Sequence, residues 1–150
     1  MNPSRRTALQ QTGALAALVS LGLFTTQQAM AAPREAFAAK TLADAVKAMG
    51  ATTANSDQVT VVSPDIAENG AVVPVGATSK LANTTEIYLL VEKNPTPLAA
   101  GFILPAGTDA DVQTRLKMSQ STNVLALVKA DGKWYAATKE TKVTLGGCGG

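Results

Sequence analysis

The residues best suited to chemistry are the last five of the chain, which read Gly146-Gly147-Cys148-Gly149-Gly150. Cys148 is the only cysteine in 150 residues, and two glycines stand on each side of it. Because glycine lacks a Cβ, the flanking backbone keeps nearly free φ and ψ angles and nothing crowds the sulfur. If the last strand ends near Leu145, the sulfur can travel about 10–14 Å from the folded body. The pattern predicts a flexible arm, 146–150, whose thiol can enter a narrow channel.

The rest of the chain offers no catalytic set. It contains no histidine, so the usual base for a serine or cysteine nucleophile is missing. Nitrogen and sulfur ligand sets for zinc, iron or copper cannot be built either, and we expect no metal and no cofactor. The closest carboxylates, Asp109 and Asp111, are expected to be solvated. Arg115 and Lys117 alternate along one predicted strand face with Gln113, where they are either solvated or attract an anion near the arm or the acids of a partner.

The amino terminus has the organisation of an export signal. A twin-arginine pattern occupies 4–9, an apolar run follows over 13–24, and Ala29-Met30-Ala31 supplies the small residues that a signal peptidase reads. The apolar run is too short to span a bilayer. Residues 1–31 are therefore predicted to be a twin-arginine signal peptide, and the protein is expected in the periplasm. Because this pathway exports folded proteins, a partner subunit that binds before export would explain its use.

The charge balance argues against a nucleic-acid partner. The chain has 13 basic and 11 acidic residues, and two of the bases, Arg5 and Arg6, lie in the predicted signal. The mature protein is then formally neutral, without a basic patch that could neutralise phosphates. A single thiol cannot form an internal disulfide, and an exposed one in an oxidising compartment would be oxidised or cross-linked unless it has regular chemistry to do.

Residues 32–145 are predicted to form one domain that positions the arm. Residues 32–51 read as a helix, which Thr41 can cap and Gly50 ends. Four apolar residues of this helix fall near one face and are expected to pack against the body: Phe37, Leu42, Val46 and Met49.

After Thr52 the pattern becomes that of short strands separated by turn residues. Asp131-Gly132 is a two-residue hairpin signal, and Trp134 after it is expected to serve packing. We predict an all-β fold, an immunoglobulin-like antiparallel β-sandwich with one N-terminal helix and the C-terminal arm. The predicted strands are 58–63, 71–77, 86–92, 99–104, 111–118, 123–129 and 133–145, the last of which could be split near Lys139 and Glu140.

Several segments resemble the SoxY family of thiosulfate-oxidation carriers, and the resemblance extends over nearly the whole mature chain. It rests on 66–75 (IAENGAVVPV), on 91–95 with 97–100, on 114–115 with 117–118, and most specifically on 143–150 (VTLGGCGG). The twin-arginine signal agrees with the family. The resemblance implies an immunoglobulin-like domain that pairs with SoxZ, a second subunit of similar fold.

The resemblance also implies that the protein is a covalent substrate carrier and not an enzyme. Cys148 matches the family's attachment site. A haem protein would join it oxidatively to thiosulfate, and a manganese-dependent hydrolase would release sulfate and leave a cysteine persulfide. In some organisms a molybdenum sulfane dehydrogenase oxidises the persulfide further. The swinging arm, with Gly146, Gly147, Gly149 and Gly150 as its flexible positions, would visit each enzyme in turn.

Two other uses of this terminus remain open. The terminal Gly149-Gly150 pair resembles the ending of small carriers that hold sulfur as a C-terminal thiocarboxylate, although that chemistry requires ATP-dependent activation in the cytoplasm. Alternatively the sandwich is a structural or binding module, and Cys148 joins two copies by an intermolecular disulfide.

Overall fold

The computed structural model describes residues 34–145. The predicted signal, 1–31, and the predicted arm, 146–150 with Cys148, lie outside the described residues. Within the described part, eight strands form two sheets. The strands are β1 (Val59–Val62), β2 (Ile66–Ala67), β3 (Val73–Ser79), β4 (Thr84–Val91), β5 (Leu98–Ile103), β6 (Asp111–Leu116), β7 (Thr122–Ala130) and β8 (Lys133–Val143).

The sheets have three and five strands. The smaller has the order β1-β3-β6 and the larger the order β2-β8-β7-β4-β5. Their paired neighbours are antiparallel except β2 and β8, which run parallel. The predicted immunoglobulin-like sandwich is therefore confirmed. The sequence analysis missed β2, because a strand of two residues between turns has no periodicity to detect.

The larger sheet is buried on both of its faces. One face packs on the smaller sheet, and the main core fills the space between them. The opposite face packs against the helical region at the start of the described chain. This double burial explains why Ile87–Val91 and Val124–Val128 are unbroken apolar runs, since neither face of these strands meets water.

The helix predicted across 32–51 is divided into two short helices. One covers 34–38 and the other, α1, covers Leu42–Ala48. They are separated because Thr41 has an extended backbone, and its Oγ1 caps α1 by accepting a hydrogen bond from the Asp44 N–H at 3.1 Å. The predicted cap is confirmed.

The prediction that Phe37 lies on the packed face is wrong, since 42% of its surface is exposed. Ala36 and Ala45 are fully buried instead.

The hairpin between β7 and β8 forms as predicted. Asp131 (φ 49°) and Gly132 (φ 72°) both have positive φ, as a two-residue type I′ turn requires. After the turn β8 continues without a break through Lys139 and Glu140, both of which pair with β7. Trp134 packs as expected, with its ring centroid 6.0 Å from that of Tyr88. This continuous strand leads to the point where the arm begins.

Candidate functional site

The last described residues show how the base of the predicted arm is held. The Thr144 N–H donates to the Ala67 carbonyl at 3.0 Å, and the Leu145 carbonyl accepts from the Gly70 N–H at 2.8 Å. The Thr144 hydroxyl also donates to the carbonyl of Glu68 at 3.2 Å. Leu145 is therefore fixed by backbone bonds beyond the end of β8. We call residues 143–145 the arm root.

The segment that holds the arm root is itself tied to β8. β2 pairs in parallel with it, and the Lys142 N–H donates to the Asp65 carbonyl at 2.9 Å. The Lys139 ammonium donates to the Ser63 carbonyl at 2.6 Å and lies 3.0 Å from Asp65 Oδ1. In addition, the buried Thr141 hydroxyl donates to Ser63 Oγ at 2.9 Å. The sequence analysis assigned no role to these residues, because their partners are 74 or more positions away in the chain.

A second loop supports the arm root from the other side. The Val143 N–H donates to Ser121 Oγ at 2.9 Å, and the Met118 N–H donates to the Gly70 carbonyl at 2.7 Å. Asn94 fixes the same loop by donating from Nδ2 to the Lys117 carbonyl at 2.7 Å. The three segments 63–70, 117–121 and 142–145 thus form one hydrogen-bonded unit at one end of the sandwich.

The predicted basic pair lies at this end. Arg115 is paired with Pro74 on the smaller sheet, and Lys117 follows β6 directly before Met118, whose N–H bonds to Gly70. Both cations are exposed, and neither forms an ion pair with another residue in the range 34–145. This exposure leaves both side chains accessible to solvent, to an anion or to the acids of a partner, so both expectations for the pair stay predictions.

The carboxylate pair lies at the opposite end. Asp111 begins β6 and pairs with Thr78, and Asp109 is on the preceding loop. Both are exposed. Across the described residues there is no group of three or more His, Cys, Asp and Glu that could hold a metal ion. No helix in the same range is both long and apolar enough to cross a membrane.

Tyr88 is the centre of a polar cluster on the larger sheet, remote from the arm root. Its hydroxyl donates to Glu86 at 2.8 Å, and Glu86 also accepts from Lys129 at 3.0 Å. Lys129 Nζ lies 5.3 Å from the centroid of the Trp134 ring. Burial raises the pKa of Tyr88 well above its ordinary value of 10.0, and the hydrogen bond and charge of Glu86 raise it further. The Tyr88 hydroxyl is therefore held in its protonated form as a hydrogen-bond donor to Glu86.

Comparison with known proteins places the chain in a family. A family model described as "Sulfur oxidation protein SoxY" matches residues 45–148, so that the match ends on Cys148. A search of curated proteins gives no significant match. Among solved structures, the sulfur carrier protein SoxY from Chlorobium limicola f thiosulfatophilum is similar with a TM-score of 0.64 and 34% sequence identity. The similarity covers 72% of this chain and 96% of that chain.

A more distant structure shares the architecture only. A variant of the superoxide reductase (neelaredoxin) from Ignicoccus hospitalis has a TM-score of 0.50 and 19% identity, covering 65% of this chain and 86% of that chain. At this identity the likeness concerns the fold and not the activity. The family match, in contrast, spans more than half of the chain and includes both the sandwich and the cysteine. The chain therefore belongs to the SoxY family of sulfur oxidation proteins.

Proposed function

We propose that this protein is a periplasmic sulfur carrier that holds thiosulfate-derived intermediates covalently on Cys148. The observation that carries the proposal is the family match over 45–148, which joins the sandwich to the cysteine in a single unit. The bonded arm root supports it, because a carrier needs a fixed base from which a short arm extends. The similar structure from Chlorobium is that of a sulfur carrier protein.

The proposed chemistry begins with a two-electron oxidation. The Cys148 thiolate forms an S–S bond with the terminal sulfur of thiosulfate, and a haem enzyme accepts the two electrons. The product is a cysteine with a disulfide-linked sulfonate. A manganese-dependent hydrolase then adds water across the bond to the sulfonate sulfur, which releases sulfate and protons and leaves a persulfide on Cys148. Where a molybdenum sulfane dehydrogenase is present, it oxidises the terminal persulfide sulfur to a sulfonate, with water supplying three oxygens and the enzyme accepting six electrons. The hydrolase then adds water again, which releases a second sulfate and returns the Cys148 thiol.

Covalent attachment gives this chemistry two advantages. Reactive sulfur chains are not lost between steps, and tethering raises the concentration of the substrate at each enzyme. The carrier in this proposal supplies no catalytic group. Nothing in a glycine arm lowers the pKa of a thiol, so each partner enzyme would provide the groups that activate Cys148.

The proposal includes a partner and a compartment. In this proposal the carrier binds a SoxZ-like subunit, and the two form a heterodimer or a larger assembly before export. The twin-arginine pattern at 4–9 supports export of the folded pair to the periplasm. The family's place in sulfur oxidation supports the same location.

Cys148→Ser tests the attachment site. Thiosulfate-dependent turnover by the reconstituted enzymes should be abolished, while the unfolding temperature and binding of the partner subunit stay unchanged, because the substitution exchanges only the nucleophilic sulfur for oxygen. The intact mass of wild-type carrier purified without reductant should show sulfur, sulfite or thiosulfate additions confined to the last peptide.

Three outcomes would contradict the proposal. Turnover by Cys148→Ser would exclude the thiol as the attachment point. Mass additions on the terminal carboxyl group would indicate a thiocarboxylate carrier instead. A disulfide dimer that predominates in fresh periplasm, together with a Cys148→Ser protein that loses assembly but keeps sulfur oxidation, would indicate a structural module.

A further inference from the structure

Three exposed apolar side chains lie on the segments that meet at the arm root. They are Ile66, Val72 and Leu145, whose exposed fractions are 59%, 55% and 67%. Ile66 pairs with Lys142 on β8, and Leu145 is the last described residue of the arm root. Val72 lies two positions after Gly70, whose N–H holds the Leu145 carbonyl. We call Ile66, Val72 and Leu145 the root collar.

The length of the arm limits how far an enzyme can stay from this collar. Cys148 is the third residue after Leu145, so an extended arm places the sulfur about 10–14 Å from the arm root. If the reacting centre of an enzyme lies at the end of a channel, most of the extended arm has to be inside the channel when the sulfur reaches that centre. Its surface then has to close against the residues that surround Leu145. Those residues present apolar side chains, which are desolvated by such a contact.

We propose that the root collar is a docking surface for the enzymes that act on the sulfur held by Cys148. The inference rests on the proposed carrier function. The partner is thus an enzyme whose channel mouth is rimmed by apolar side chains. The surface is small, as expected for an enzyme that binds, reacts and leaves. A permanent subunit seated on the collar would cover the base from which the arm has to extend.

The test measures sulfate release by the manganese-dependent hydrolase as a function of carrier concentration. The substrate is the full-length carrier with its partner subunit, conjugated to thiosulfate on Cys148. Val72→Gln and Leu145→Gln are made singly and together, because glutamine removes the apolar contact without adding a charge beside the anionic cargo. The matched control is Ile103→Gln. Ile103 is 70% exposed but pairs with Glu86, at the far end of the larger sheet.

The double variant should raise the KM for the carrier about tenfold, the size expected when central interface residues are removed. Sulfate release should recover at saturating carrier, and the KM of Ile103→Gln should match the wild type. Thermal unfolding checks the fold of each variant. A KM within twofold of the wild type in a folded double variant overturns the inference. So does loss of the partner subunit from that variant alone, since the collar would then belong to the subunit interface.

The controls separate this inference from the proposed function. If the wild-type conjugate releases no sulfate, or if Cys148→Ser supports release, the carrier function itself fails. If wild type is active, Cys148→Ser is inactive and the collar variants behave like wild type, only the docking surface is rejected.

Discussion

At the scale of single residues, the chain separates chemistry from structure. The sole cysteine has two glycines on each side, whereas several described polar side chains at the arm root are bonded to one another or to the backbone. Among the described side chains that are not exposed, no buried nitrogen or oxygen lacks a hydrogen-bond partner.

The glycines beside Cys148 provide the first prediction. Gly147→Trp combined with Gly149→Trp should slow turnover at least tenfold, because two indole rings restrict the backbone and obstruct a narrow channel. Steady-state thiosulfate oxidation with the reconstituted enzymes measures this. The matched control is Ala106→Trp, on the exposed loop between β5 and β6, where the backbone does not have a positive φ. Wild-type turnover in the double variant would show that the arm does not need to be thin.

Tyr88 provides a prediction about alkaline stability. Burial raises its pKa in the folded state above 10.0, so as the pH rises the unfolded chain releases the phenolic proton first. The contribution of the protonated Tyr88 phenol to the free energy of unfolding is fully present below pH 10. Above pH 10 it is lost, at up to about 1.4 kcal/mol per pH unit. Tyr88→Phe should therefore flatten the decline in unfolding free energy above pH 10, measured by denaturant titration, with Tyr135→Phe as the control. Identical slopes for wild type and Tyr88→Phe would contradict the assignment.

At the scale of elements, the two short helices form a third layer on the larger sheet. Ala36 and Ala45 are fully buried there, and their small side chains allow the helices to approach the sheet closely. The sheet face that they cover contains Tyr88, Leu90 and Leu127. Without this layer, those apolar groups would face water and the larger sheet would lose one of its two cores.

Ala45 and Ala43 provide a matched pair that tests this layer. Ala45→Gln should lower the free energy of unfolding by about 1–3 kcal/mol, because a larger polar side chain has to enter a packed contact. Ala43→Gln, in the same helix but exposed, should change it by less than about 0.5 kcal/mol. Chemical denaturation of the two proteins checks the difference. Equal free energies of unfolding for Ala45→Gln and Ala43→Gln would mean that the helix does not pack on the sheet as described.

The elements also show how much of the fold the sequence could predict. The Asp131-Gly132 turn, the valine-rich strands and the Thr41 cap depend on near neighbours in the chain, and all three were predicted. The division at 39–41 and the exposure of Phe37 were not, because packing against a sheet decides which helical residues become buried. β2 and the bond from Lys139 to Ser63 depend on residues far apart in the chain, and local patterns contain no information about them.

At the scale of the whole molecule, the fold and the activity have separate origins. The same architecture occurs in a superoxide reductase of 19% identity, so the sandwich alone does not specify what the protein does. The sequence identified Cys148 as the candidate site, which lies outside the described residues. What the structure adds is the bonded arm root, which fixes the residues directly before the predicted arm.

The position of β8 has a mechanical consequence. If Cys148 is the attachment site that we propose, an enzyme that draws it inward would pull on β8 along the strand axis. Nine residue pairs join this strand to β7 on one side, and β2 flanks it on the other. A pull along a strand loads its hydrogen bonds together in shear, whereas a pull across it would break them one at a time. Under the proposed function, the backbone bonds of β8 to its two neighbours would therefore resist such a pull together.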